Sequence, residues 1–339
     1  MTEELQMIAV QTHNCGVLHV YVQGNLEDRN GKTIILTCHD VGTNYKTFVR
    51  FVNHPSMNDV KNKSIFLHVC VPGQEDNAAD YIGEFPSLDS IATDLTYVLD
   101  KLDVKSCIVF GEGAGANILC RFAMANPNRI LGTILVHCTS TTAGIVEYCK
   151  DKASFQLNEH TLYVINMRLE NDIMTDGAWE YLVTHKFGTA ADVNKKDRQM
   201  FVDELKRTLN PRNLSKYLLS FTKRTDLSGS IGSKLDSVDT LLVSGSKASH
   251  LHTVYTTQKS MNRRKTTLLV VDNVADVLQE APDNMARSFI LLCKGCGVLS
   301  GVAIPGMERQ RTLSSSMEEA DRPRRLSVTQ PNLPPVPSV

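Results

Sequence analysis

A mostly parallel α/β sheet with helices on both faces, interrupted late by a block of helices, is the fold this sequence predicts, and three observations carry it. Apolar runs of strand length, at residues 33–38, 64–71, 105–110, 130–138, 240–245 and 267–272, alternate with segments of helical periodicity. Runs that are apolar on both faces belong to strands covered by helices on both sides. The second observation is the glycine cluster Gly111-Glu-Gly-Ala-Gly115, set between the end of one such run and the start of a helical pattern. The third is the stretch from 139 to about 236, where strand-length runs stop and long amphipathic segments take over.

In chain order, residues 17–24 alternate apolar and polar, as a half-buried strand does, and 25–32 read as a turn tipped by Asn30-Gly31, so the chain opens with a predicted hairpin. The buried strand at 33–38 runs into the glycine loop His39-Asp-Val-Gly-Thr-Asn44. A short helix is expected within 46–58, then the strand at 64–71, stopped by Pro72-Gly73. Ile91, Leu95, Val98, Leu99 and Leu102 share one helical face. After the strand at 105–110, residues 114–126 form a helix closed by Asn126-Pro127, and 130–138 is the next strand. The helical block includes a helix pair over 205–221, broken near Pro211. Strand and helix then alternate again through 240–245, 251–260, 267–272 and 282–294.

The strand, glycine turn and helix around Gly111 have the form of the nucleophile elbow of α/β-hydrolases, whose Gly-x-Ser-x-Gly sequence holds a serine hydroxyl at the top of the sheet. Here the nucleophile position falls on Gly113. The acid position after the seventh strand falls on Ser246, and the histidine position, five residues before Glu280, falls on Ala275. All three triad positions are therefore expected to be empty. Within reach of the turn, His39, Asp40, Val41, Glu112 and Ala114 form a candidate ligand pocket: two carboxylates, an imidazole, and the Val41 and Ala114 N–H groups as an anion-binding corner at a helix N-terminus. The plainer reading has Asp40 and Glu112 capping the loop and helix by accepting backbone N–H bonds. His250 is expected at the start of a solvated helix, and the lone Cys293-Lys-Gly-Cys296 lacks the second pair that a zinc site needs. No cofactor and no metal is expected.

With 339 residues, 42% of them apolar, the chain can bury a large core. Lys plus Arg (36) balance Asp plus Glu (37), which gives no chain-wide field for nucleic acid; association with a membrane surface would need a local patch. The acidic start lacks the basic and apolar regions of a signal peptide, no transmembrane segment is expected, and nine cysteines spread through strands and helices fit a reducing, cytoplasmic setting. Residues 305–339 hold six of the twelve prolines among clustered Ser, Arg and Glu, and read as a disordered tail. Within it, Arg309-Gln-Arg-Thr-Leu-Ser314 and Arg322-Pro-Arg-Arg-Leu-Ser327 repeat Arg-x-Arg-x-x-Ser, the pattern that acidic pockets of basophilic, AGC-type kinases read, so Ser314 and Ser327 are expected phosphorylation sites.

Several stretches together resemble the N-myc downstream-regulated (NDRG) family: Leu36-Thr-Cys-His-Asp-Val-Gly-Thr-Asn-Tyr-Lys46, Pro72-Gly-Gln-Glu-Asp76, Pro86-Ser-Leu-Asp89, Gly111-Glu-Gly-Ala-Gly115, Arg121-Phe-Ala-Met-Ala-Asn-Pro127 and Lys223-Arg-Thr-Asp-Leu227. The resemblance implies an α/β-hydrolase fold that has lost hydrolase activity and serves as a cytoplasmic adaptor with unidentified protein partners. It also implies roles in differentiation, stress response, signalling and vesicle trafficking, with tail phosphorylation by an AGC-type kinase. One departure stands out: members usually carry an aspartate in a Val-Gly-Asp run after the seventh strand, where this chain has Ser244-Gly-Ser246. The expected organisation is a core at 1–138 and 237–304, a helical cap at 139–236 inserted between the sixth and seventh core strands, and a tail at 305–339. The rival expectations are a hydrolase or lyase using Glu112, Asp40 or His39, and a small-ligand sensor without chemistry.

Overall fold

Residues apolar at every position form the middle of the sheet. In the computed structural model, which describes residues 5–142, 159–188 and 195–307 (the backbone alone for 159–164), the strands are β1 (Gln6–Gln11), β2 (Val17–Gln23), β3 (Thr33–Cys38), β4 (Ser64–Cys70), β5 (Cys107–Glu112), β6 (Ile130–Val136), β7 (Thr240–Gly245) and β8 (Thr266–Val271). They make one sheet in the order β1-β2-β4-β3-β5-β6-β7-β8. Every residue of β4, β5 and β7 is buried, whereas β2, nearer the edge, alternates. All neighbours from β4 to β8 pair in parallel; β2 runs antiparallel to both β1 and β4.

The opening hairpin is therefore β1 with β2, joined by residues 12–16, and the Asn30-Gly31 turn links β2 to β3, which are not neighbours in the sheet. The predicted hairpin fails for a physical reason. A strand as uniformly apolar as β3 needs a partner on both sides and helices on both faces, which the parallel β4 and β5 supply and an edge hairpin does not.

Before the insertion come helices α1 (Lys46–Val52), α2 (Asn58–Asn62), α3 (Leu88–Lys101) and α4 (Gly113–Ala125). The block between β6 and β7 holds α5 (Glu159–Glu170), α6 (Asp176–Phe187), α7 (Lys195–Thr208), α8 (Pro211–Thr222) and α9 (Ile231–Lys234). The chain then continues through α10 (Leu251–Ser260), α11 (Val277–Glu280) and α12 (Pro282–Gly295). One apolar cluster packs α3 and α4 on one face of the sheet; a second packs α1, α2 and α12 on the other. The inserted helices join the first cluster through Ile165, Leu169, Tyr181, Leu182, Leu214 and Tyr217. The described residues up to Pro305 form one compact unit, so the described helices of the insertion do not stand apart from the sheet. Its polar ties confirm this: Tyr217 Oη donates to His39 O at 3.0 Å, and Asn213 Nδ2 donates to Gly73 O at 2.9 Å. No helix among the described residues is long and apolar enough to cross a membrane. Ser314 and Ser327 lie outside the described residues.

Candidate functional site at the strand–helix elbow

At the junction of β5 and α4 the chain turns so sharply that Gly113 takes φ +54°, in the left-handed region that glycine enters freely. A second constraint acts on the same residue. A Cβ on Gly113 would lie 2.0 Å from Asp40 Cγ, so the Asp40 carboxyl fills the space of the missing nucleophile side chain.

That carboxylate is held on every side. Its Oδ1 accepts from Val41 N at 2.7 Å and from Ala114 N at 2.8 Å, the two backbone donors expected to form the anion corner. Its Oδ2 accepts from His185 Nε2 at 2.7 Å. The anion of the corner is thus supplied by the chain itself. Burial alone would raise the Asp40 pKa, but the His185 charge and hydrogen bond, with the two N–H donors, hold it well below the usual carboxylate range. Burial disfavours the His185 cation, yet Asp40 outweighs it and raises the His185 pKa. Behind them stands His250, whose Nε2 is 3.3 Å from His185 Nδ1. Burial and the adjoining His185 push His250 down to about 3, which leaves it neutral near pH 7.

Glu112, on the other side of the turn, does not cap α4. Its Oε1 accepts from Lys186 Nζ at 2.9 Å, and Lys186 also stands 3.0 Å from Asp276 Oδ2. All three groups are buried, and Glu112 Oε2 has no hydrogen-bond partner among the described residues. Burial raises the Glu112 pKa to about 7; Lys186 opposes the shift and Asp276 adds to it. For Lys186, burial is outweighed by Asp276 and Glu112, and its pKa rises.

The remaining sequence candidates serve the fold. His39 is fully buried, with Nδ1–H donated to Asp40 O (2.9 Å) and Nε2 accepting from Val71 N (3.0 Å); burial lowers it to about 4. It lines neither the small cavity at the elbow nor the groove between α1, α7 and α11. Ser246 Oγ accepts from Asn273 N at 2.8 Å, tying two loops, and the buried Ala275 N donates to Glu280 Oε2 at 3.2 Å. Cys293 and Cys296 lie on and just after α12 as free thiols.

Sequence reasoning missed His185, Lys186, His250 and Asp276 as members of the site. A signal existed on α6: Ala178, Leu182 and Lys186 follow at i, i+4 and i+8 with Tyr181 and His185 beside them, so a lysine and a histidine occupy an otherwise apolar stripe. A cation on a buried stripe calls for a buried anion. The solvated helix start expected at His250 is corrected by its contact with His185.

Two cavities border the site. The one at the elbow is about 10 Å³, lined by Asp40, Gly113, His137, Thr139, His185 and His250 among others; it has room for about one water molecule. The larger is a groove of about 630 Å³ between α1, α7 and α11, and it reaches Lys186 and Asp276.

The eight-stranded sheet, the glycine elbow with its two backbone donors and the helices inserted after β6 define an α/β-hydrolase-fold protein. A solved esterase from Thermogutta terrifontis shares that fold, with TM-score 0.66 and 12% identity over 86% of this chain and 99% of the esterase. The Ndr family model matches residues 8–300, and the chain belongs to that family. Among its relatives, an uncharacterized protein of Caenorhabditis elegans is 74% identical over 336 residues, covering 99% of both chains. Protein NDRG3 of Xenopus laevis is 28% identical, covering 89% of this chain and 78% of the relative.

Proposed function

We propose that this Ndr-family chain is a non-catalytic α/β-hydrolase-fold protein that works as a cytoplasmic adaptor in signalling, differentiation, stress response or vesicle trafficking, and that an AGC-type kinase regulates it at Ser314 and Ser327. One observation carries the non-catalytic part: the Asp40 carboxylate stands in the nucleophile's space and takes both backbone donors of the oxyanion corner. An oxyanion developing on a substrate would find those donors occupied and a negative charge in its place. The reading of Gly113, Ser246 and Ala275 as empty triad positions agrees with it. The adaptor, localisation and kinase parts rest on the family and on the repeated tail motif.

Purified protein offered a panel of activated esters and lactones is expected to give no turnover above buffer. Turnover abolished by both Glu112→Gln and Asp40→Asn would overturn the adaptor reading in favour of an atypical hydrolase. Mass spectrometry of protein from stimulated cells is expected to find phosphate on Ser314 and Ser327; both serines unmodified at full coverage would remove the kinase. The groove of about 630 Å³ favours a second reading, a small-ligand sensor, which a ligand-dependent rise in melting temperature would support.

A further inference from the structure

On the small-ligand reading of the groove between α1, α7 and α11, on which this inference rests, we propose that the groove binds a primary amine carried on an apolar chain, with the ammonium head at the inner end beside Asp276. The groove, about 630 Å³, shares no lining residue with the small cavity at the elbow. Phe51 of α1, Met200 and Phe201 of α7 and Leu278 of α11 give it apolar walls, and Met200 is 60% exposed. Apolar walls with a few convergent polar groups are the usual make-up of a small-molecule site. Those polar groups stand at the inner end: Lys186 and Asp276 line the groove, and Glu112, which the groove does not reach, shares the same lysine. Asp276 is only 1% exposed. Its Oδ1 is taken up in capping α11, accepting from Leu278 N and Gln279 N. Its Oδ2 accepts no hydrogen bond among the described residues and has Lys186 Nζ, 3.0 Å away, as its ion-pair partner. Glu112 Oε2 is likewise buried and accepts no hydrogen bond among them.

The balance of charge names the head group. Two buried carboxylates share one ammonium, so the inner end is short of both positive charge and hydrogen-bond donors. A charged donor satisfies a buried carboxylate best, and an ammonium supplies the charge and the donors together. A carboxylate or phosphate head would instead add a third anion beside Lys186. Among the other lining residues, the carboxylates of Asp197, Asp203 and Glu204 outnumber the guanidinium groups of Arg50 and Arg207, and Arg50 is already paired with Glu204. The seat is also coupled to a proton. Glu112 is faced by Lys186 and His185 from α6, by Asp276 from the turn before α11 and by Asp40 from the loop after β3; His137, after β6, faces Asp276 and Asp40 and is held near 4 by burial. With its pKa raised to about 7, Glu112 is about half protonated at neutral pH. A second cation nearby lowers that pKa, so the ammonium displaces the proton and binds more tightly as pH rises from about 6 to about 8.

Calorimetric titration of the full chain near neutral pH with hexylammonium, hexanoate and hexanol, each in two buffers of different ionisation heat, tests this. Hexylammonium is expected to bind about tenfold or more tightly than either other probe and to release up to about half a proton. Asp276→Asn, which keeps a side chain able to cap α11, is expected to weaken that binding about tenfold or more. Glu112→Gln is expected to abolish the proton release while hexylammonium still binds. Met200→Lys, at an exposed position, sets a cation on the groove wall and is expected to weaken hexylammonium but not hexanoate, which keeps the test decisive if Asp276→Asn folds poorly. Hexanoate or hexanol bound as tightly as hexylammonium would overturn the amine head and leave the small-ligand reading standing; no binding by any of the three would overturn both. Hexylammonium binding that neither Asp276→Asn nor Met200→Lys alters would overturn the site, and binding by the unsubstituted chain without proton release would overturn the coupling to Glu112.

Discussion

His185 and Lys186 stand side by side on α6, and each meets buried carboxylate at the sheet's carboxyl end, but the two anionic centres differ in how many donors serve each charge. Asp40 has three donors for one charge: Val41 N–H, Ala114 N–H and His185. Glu112 and Asp276 share Lys186; Asp276 Oδ1 also accepts from Leu278 N and Gln279 N, which leaves three donors for two charges, and one Glu112 oxygen has no partner among the described residues. The first centre keeps its proton off to strongly acidic pH, while the second draws a proton near neutrality, with Glu112 raised to about 7. Equal burial does not fix a carboxylate's state; the ratio of donors to charges does.

The largest effect that would break this comparison is loss of Lys186. In Lys186→Met two buried carboxylates lose the cation they share, and urea unfolding is expected to show a loss of about 3–5 kcal/mol. A loss under 1 kcal/mol would mean that water already serves that centre. Next comes Gly113→Ser, which places a side chain onto Asp40 at a positive φ. It is expected to cost about 2–4 kcal/mol, with part of the loss recovered in Gly113→Ser/Asp40→Gly because the clash goes and the strain stays. Full additivity of the two substitutions would show that Asp40 does not fill the nucleophile space in solution. The smallest effect is the sharpest. A carboxyl whose folded pKa of about 7 lies above its ordinary 4.5 binds its proton more tightly when folded, so stability is fullest below pH 4.5 and falls as pH rises to about 7. Glu112→Gln is expected to change stability by only about 1 kcal/mol at pH 5 yet to flatten that fall, read from melts between pH 5 and pH 8. His185 carries the same sign, its contribution being present below its ordinary 6.5 and lost as pH rises through its raised folded value.

Much of the fold was legible because its signals are local. The runs at β3, β4 and β7, the glycine elbow and the break at Pro211 each declare themselves within a few residues. The β1–β2 pairing was not, since pairing partners are chosen by what each strand must bury, and β1 carries no strong run of its own. The site divides along the same line. Asp40 and the two backbone donors lie in motifs readable in order, whereas His185 and Lys186 reach the elbow across more than seventy residues of chain, and only their place on an apolar stripe hints at it. The other stretches that carry the family resemblance prove to be joints. Asn44 Nδ2 donates to Asp76 Oδ1 at 2.6 Å and Lys46 pairs with the same carboxylate, which clamps the β3 loop to the loop after β4. Arg121, almost fully buried, donates to Asn117, Asp89 and Thr225 and so binds α4 to the start of α3 and the end of the insertion.

The adjacency of His185 and Lys186 has a mechanical side. Two neighbouring residues on a helix point about 100° apart, and here each drops into its own anionic well on either side of the elbow. A helix seated on two pins at that angle cannot roll or slide by one residue without leaving both wells at once. The insertion is thereby keyed in register to the sheet, so that any message passed between its outer surface and the core has to move the two as a single piece or pull both pins together.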